Sequence, residues 1–275
     1  MRALLFLAAA CSLTAAEDPR EIVRRSVELM DRNLAVARNY TFLERSEVRE
    51  LDGDGRVKSR KIRQYDVTLL EGSPYRRLVG RDDHPLPPEE DHAEEKKLKD
   101  SIAARQKESA AQREKRVAEW QKKSERQRES LREIPDAFDY RIVGNESIEG
   151  RDAWLIEATP HRGYGAKTSL AKFFPKLRGK LWIDKLDYQW VRTQAEATDT
   201  ISYGLLIARL AKGARLDFEM TRVNNEVWLP SRITASGSAR IALFKKFRID
   251  SDTTYSKYRK FQADSRIVSV QPSEQ

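Results

Sequence analysis

The sequence predicts a mainly β protein of the α+β class: one curved, meandering antiparallel sheet, preceded by an amphipathic helix and interrupted by one long charged helix. Three observations predict it. From Tyr40 onward, runs rich in Tyr, Phe, Val, Thr and Ile return at turn spacing with no long apolar helix between them. Before Tyr40, apolar residues recur at helical spacing. Within the strand-rich part, residues 89–133 hold twelve acidic and thirteen basic side chains, interleaved, with no Gly or Pro.

Composition narrows the class. In 275 residues, 52 Lys and Arg face 43 Asp and Glu, a formal charge of +9, and 35% of side chains are charged. That is too much charge for a multi-span membrane protein. Twelve Gly and ten Pro are too few for a collagen or a disordered chain, and one Cys excludes a disulfide scaffold. Met1-Arg2 is followed by the apolar run 3–10, then by small residues at Thr14 and Ala16 ahead of Glu17 and Asp18. This pattern fits a secretory signal peptide at 1–16, cleaved after Ala16, and leaves 17–275 as a single domain with 89–133 as its insertion. The alternative is lipidation at Cys11, after Ala8-Ala9-Ala10. Cleavage after Ala16 removes the only Cys, and with it any disulfide, thiolate nucleophile or thiolate metal site.

The elements follow in order. Asp18-Pro19-Arg20-Glu21 is a helix start, with a capping Asp, Pro at the first helical position and Glu three residues after the cap. Val23, Val27, Met30, Leu34 and Ala37 then fall on one helical face, and the helix ends near Asn39. Strands are predicted over 40–51 and 56–70, joined by the hairpin chemistry of Asp52-Gly53-Asp54-Gly55. Charges such as Glu44, Arg45, Glu47 and Arg49 blur their alternation, which suits long strands with one face in water. A third strand covers 75–80. In the charged segment, Glu95 with Lys99 and Glu119 with Lys123 have the favourable acid-before-base order four residues apart. As one helix it would extend roughly 65 to 70 Å. Its weak apolar seam of Ala103, Ala110, Val117 and Leu131 leaves two readings: a solvated helix resting partly on the domain, anchored by Trp120, or an arm that docks a protein partner. From Tyr140 strands resume, over 140–160 as a pair and then at 177–183, 188–198, 214–224, 227–238 and 247–261.

Three stretches within this region resemble a known family. They are Gly150-Arg151-Asp152-Ala153-Trp154-Leu155-Ile156-Glu157-Ala158-Thr159-Pro160, Gly179-Lys180-Leu181-Trp182-Ile183-Asp184, and the run from Phe218 through Asn224-Asn225 to Trp228-Leu229-Pro230. The chain resembles the outer-membrane lipoprotein-sorting family, the LolA/LolB-like periplasmic carriers. The resemblance implies an incomplete, strongly curved antiparallel barrel with helices over its concave face. It also implies a non-enzymatic periplasmic carrier without a cofactor, holding a lipid, an acyl chain or a lipid-anchored protein in an apolar cavity. The family pattern has no counterpart of 89–133.

Three segments place apolar residues beside cations and read as lids or loop tips: 170–177, 201–210 and 241–247. Their apolar side chains, Phe173, Phe174, Leu205, Leu206, Ile207, Leu243 and Phe244, suit a tail, and Lys172, Arg209, Lys245 and Lys246 suit an anionic head group or a membrane surface. The plainer reading is that these residues plug the end of the core. Trp182, with Trp154, Trp190 and Trp228 on predicted strands, lines a cavity or fills the core. An enzyme is not indicated: His84, His92 and His161 lie far apart, and no nucleophile elbow or metal-ligand spacing occurs. Nucleic acid is not indicated either, because the cations alternate with acids along the chain. Two functions remain, a carrier of lipid or acyl chain and an envelope interaction protein whose charged helix binds a partner.

Overall fold

The computed structural model describes residues 17–203, 208–241 and 245–260. The leader expected at 1–16, Cys11 included, lies outside them. Helix α1 (Pro19–Ala37) starts as its sequence dictates: the Asp18 side chain accepts the Arg20 N–H at 2.9 Å, and Pro19 takes the first turn, where a missing N–H is harmless. Its buried stripe takes in Ile22 and Ser26 beside the expected Val23 and Val27.

Strands β1 (Tyr40–Leu51), β2 (Val57–Leu70), β3 (Ser73–Arg81) and the short β4 (His84–Pro85) come next. Helices α2 (Pro88–Gln106), α3 (Ala110–Leu131) and α4 (Ile134–Ala137) lead to β5 (Phe138–Ile148) and β6 (Arg151–Pro160). A 3₁₀ turn, Ala171–Lys176, precedes β7 (Leu177–Asp184), β8 (Trp190–Ala197), β9 (Ile201–Tyr203), β10 (Ala208–Leu210), β11 (Arg215–Val223), β12 (Val227–Ile241) and β13 (Lys245–Lys260). All pairings are antiparallel, and the main path runs β4-β3-β2-β1-β13-β12-β11-β8-β7-β6-β5, with the β9–β10 hairpin attached to β12. The end strands β4 and β5 do not pair, so the sheet is unclosed. The last strand, β13, sits between β1 and β12 and joins the two halves of the chain into one sheet.

Helix α1 lies across the strands. Near its start, the Arg20 guanidinium donates to the Phe138 carbonyl of β5. Near its end, Asn33 exchanges two hydrogen bonds with the Trp228 backbone of β12. Six strands, β5 to β12, separate those points by roughly 24 Å, close to the roughly 28 Å length of a 19-residue helix. Beneath it Ile22, Val23 and Val27 pack with Trp154, Ile156, Leu181, Ile183 and Trp190. The buried Trp190 indole donates to Ser26 Oγ at 2.6 Å, and that hydroxyl donates to the Val23 carbonyl.

The charged insertion is two helices, where the sequence suggested one. A capping box at Ser109 and Gln112 starts α3 afresh after Gln106. The break brings two arginines to the β2–β3 turn: Arg105 donates to the Leu70 and Ser73 carbonyls, and Arg116 to Ser73 Oγ, the Glu71 carbonyl and Glu108. Helix α2 is tied along β3 by Arg77–Asp91 and Arg81–Glu90. Helix α3 runs beside the second half of α1, through Arg132–Asp31 and the Arg38 guanidinium 5.8 Å from the Trp120 ring. Trp120 is thus an anchor, as expected of it.

The motifs that carry the family resemblance are structural. Arg151 pairs with Asp184 at 2.6 Å and with Asp187 at 3.0 Å, and Asp187 accepts the Trp228 indole N–H at 3.1 Å. Burial pushes the Asp184 carboxyl up, but Arg151 and the N–H groups of Asp187 and Leu186 outweigh it and hold it below its ordinary value. The side chain is 1% exposed, so Arg151→Ala strands a buried charge. We expect a loss of about 3 to 5 kcal/mol in urea unfolding; a loss below about 1 kcal/mol would show that water reaches Asp184.

Candidate binding site

The strand register sorts side chains onto two faces. On the face away from α1, charges pair across strands: Arg141–Glu157, Arg178–Glu196, Arg192–Asp217, Arg232–Asp252 and Arg60–Glu47. The face that carries α1 is different. One row on it reads, strand by strand, Tyr140, Ala158, Gly179, Ala195, Leu216, Ala235, Ser251, Val48 and Lys61. The next reads Ile142, Ile156, Leu181, Thr193, Phe218, Ile233, Thr253, Ser46 and Arg63.

Small side chains make the first row a shallow floor. Gly179 has no alternative, since a Cβ there would sit 2.4 Å from the Gln194 carbonyl oxygen. Helix α1 covers this face where Ile156 and Leu181 stand, but the other end lies open: Leu216 is 45% exposed and Val48 38%. Ala235, Phe218 and Ile233 between them are half-buried. Leu216 and Val48 thus leave apolar side chains in water on the part of this face that α1 does not cover.

The residues singled out in the sequence fall elsewhere. Phe174 is buried against Phe138, with ring centroids 5.7 Å apart, and plugs a corner formed with Ala137, Ala158 and Ala171. Trp182 points to the opposite face, packed with Ala153, Val191 and Trp228, where its indole donates to Glu146 at 2.7 Å. Both are packed into core clusters, and the pleat turns Trp182 away from Leu181 and Ile183. Phe173 is half-buried and Lys172 exposed on the 3₁₀ turn. Arg209 lines a hollow of about 540 Å³ with Leu51, Ala239, Phe247 and Arg248. Lys245 and Lys246 start β13 opposite Ile241 and Arg240. Leu205, Leu206, Ile207, Leu243 and Phe244 lie outside the described residues. The floor itself was missed: its members are scattered from Val48 to Ser251 in sequence, and only the register unites them.

A groove of about 550 Å³ lies on the charged face between Glu157, Arg178, Lys180, Glu196 and Arg215, and those charges neutralise one another. Among the described residues no cluster of His, Cys, Asp and Glu has metal-site geometry, and no helix is long and apolar enough to cross a membrane.

One buried carboxylate holds the approach to the 3₁₀ turn. Glu133 accepts the Lys167 and Thr168 N–H groups, both at 2.9 Å, and the Tyr164 hydroxyl. Burial pushes its pKa up, but these donors outweigh it and bring it down to about 2 from an ordinary 4.5. A depressed carboxyl stabilises the fold fully above the unfolded value and loses that contribution as pH falls through 4.5 towards 2. Wild type therefore loses stability faster than Glu133→Gln between those pH values in acid titrations of unfolding; parallel curves would refute the assignment.

No family model matches the chain, and no curated protein does. Among solved structures the chain is similar to an outer membrane lipoprotein-sorting protein domain from Vibrio parahaemolyticus: 11% identity, 89% of this chain and 95% of that one, TM-score 0.37. It is also similar to a LolA superfamily protein from Nitrosomonas europaea, at 12% identity over 90% and 94% with a TM-score of 0.31. A third likeness is to the MucA/MucB complex of Pseudomonas aeruginosa, at 9% identity over 87% and 100%, TM-score 0.22. The functional argument rests on this chain's own geometry.

Proposed function

We propose that the chain is a non-enzymatic periplasmic carrier that holds an acyl chain, as a lipid or the acylated end of a lipid-anchored protein, against the helix face of its sheet. One observation carries the reading: apart from Ser251 the row from Ala158 to Val48 is apolar and mostly small, and α1 leaves its β11-to-β1 part uncovered. Each methylene transferred from water to such a floor is worth about 0.8 kcal/mol. We expect the purified protein to enhance the fluorescence of an added acyl probe. Ala235→Trp fills the floor and Leu216→Glu places a charge on it; each weakens probe binding about tenfold or more. Equal binding by both variants and wild type would end this reading.

A separate observation favours a second reading, an envelope interaction protein. Helix α2 is tied to β3 and to the β2–β3 turn by Glu90, Asp91 and Arg105, and no side chain of it is fully buried, so its outer side is open to a partner. Lys96, Lys122 and Lys123 are exposed on the two helices. Under this reading Lys96→Glu, Lys122→Glu and Lys123→Glu together remove a co-purifying envelope protein while acyl-probe binding is unchanged. Retention of that protein by the triple variant counts against it.

A further inference from the structure

On β2 the two rows of the helix face reach cations, and the second continues to Arg81 of β3. Register carries Val48 to Lys61 and Ser46 to Arg63, so both basic side chains stand on the same face of β2, two residues apart. With Ser46, Val48, Tyr65 and Arg76 they line a hollow of about 290 Å³ that continues the floor. Arg76 is already committed: it donates to Glu44 at 2.5 Å and lies 4.1 Å from the centroid of the Tyr65 ring. Lys61 and Arg63 are exposed, and among the described residues neither has a carboxylate, carbonyl or ring partner. The acids on this part of the face are Glu44, held by Arg76, Glu90 of α2, held by Arg81 opposite Arg63, and Glu50, which lies opposite Ser59 and pairs with neither cation. On the other face of the same strands the cations are spent, with Arg45 on Asp83 and Arg60 on Glu47.

We propose that Lys61 and Arg63 form an anion seat at the end of the floor, taking the phosphate or carboxylate head of an amphiphile whose tail lies along Val48, Ala235 and Leu216. The planar Arg63 fork matches two oxygens of such a head, and Lys61 adds a mobile point charge. None of the cations singled out in the sequence belongs to this seat. The proposal rests on the carrier reading for the tail and on Lys61 and Arg63 for the head.

The test compares dodecyl phosphate, dodecanol and inorganic phosphate on the purified protein by calorimetry, below the micellar range. Dodecyl phosphate is expected to bind about tenfold more tightly than dodecanol. The Lys61→Gln, Arg63→Gln double variant erases that preference, keeps the dodecanol affinity and, since both side chains are exposed, keeps the thermal midpoint. An equal affinity of wild type for dodecyl phosphate and dodecanol, or an unchanged preference in the double variant, overturns the seat. Inorganic phosphate binding as tightly as dodecyl phosphate overturns the head-group assignment in favour of a free-anion site. If neither long-chain probe binds, the carrier reading is what fails. Inorganic phosphate then still decides the seat, since equal binding by wild type and double variant overturns it.

Discussion

The registers of β13 against β1 and β12 are the constraint on which the rest of the structure depends. Successive side chains alternate faces, so a slip of one residue would bring Asp250 and Arg49 onto the floor and send Ser251 and Val48 to the charged side. The charged face opposes such a slip. Arg232 of β12 grips Asp252 of β13 through two hydrogen bonds of 2.9 and 2.6 Å, and on the neighbouring pair Arg60 of β2 grips Glu47 of β1 at 2.8 and 3.0 Å and fixes that register in the same way. An exposed pair of this kind is worth at most about 1 kcal/mol. A slip, however, breaks the pairs together and sets like charges opposite one another. Their main effect is therefore on which register forms, and only secondarily on how stable it is.

The helix face carries its tryptophans under α1, while beyond it small side chains recur beside Leu216, Phe218 and Ile233. Under α1 the sheet offers Trp154 and Trp190, each with its indole satisfied, by Glu17 at 2.6 Å and Ser26 at 2.6 Å. Beyond the helix it offers Ala195, Ala235 and Ser251. Large side chains there would fill the space themselves, and a second helix would be needed to cover them. The small ones leave a shallow surface between Leu216, Phe218 and Ile233.

Local chemistry was legible in the sequence, and long-range pairing was not. The Asp18 cap, the Asp52-Gly53-Asp54-Gly55 hairpin and the bounds of β1 are set by residues a few positions apart, and the structure reproduces them. The insertion was read as one helix because it lacks Gly and Pro. The signal for its break, Ser109 with Gln112, was present but competes poorly with a long run of good helix formers. The floor left no hydrophobic signature, since Ala, Gly and Ser score as neutral, and its rows join residues about 200 positions apart. The face that Trp182 takes was not legible for the related reason that in a strand buried on both faces, from Leu181 to Asp184, alternation does not say which side chains meet α1.

An open sheet must also keep its two edges from pairing with each other or with another molecule. Here the chain itself runs from one edge to the other: it leaves the sheet at β4, follows β3 as α2, turns at Lys107 to Ser109, passes α1 as α3 and re-enters as β5. Pairing of β4 with β5 would close the sheet and seal the helix face from the side. A connector of two helices spans the gap without adding a strand, and its backbone hydrogen bonds are satisfied internally. It must also lie in water for most of its length, which its alternating acids and bases permit. Ion pairs and hydrogen bonds to the β2–β3 turn, β3 and α1 then hold it in place without an apolar seam that would compete for the floor. The composition that looked out of place in a strand-rich sequence is thus what allows the sheet to remain open.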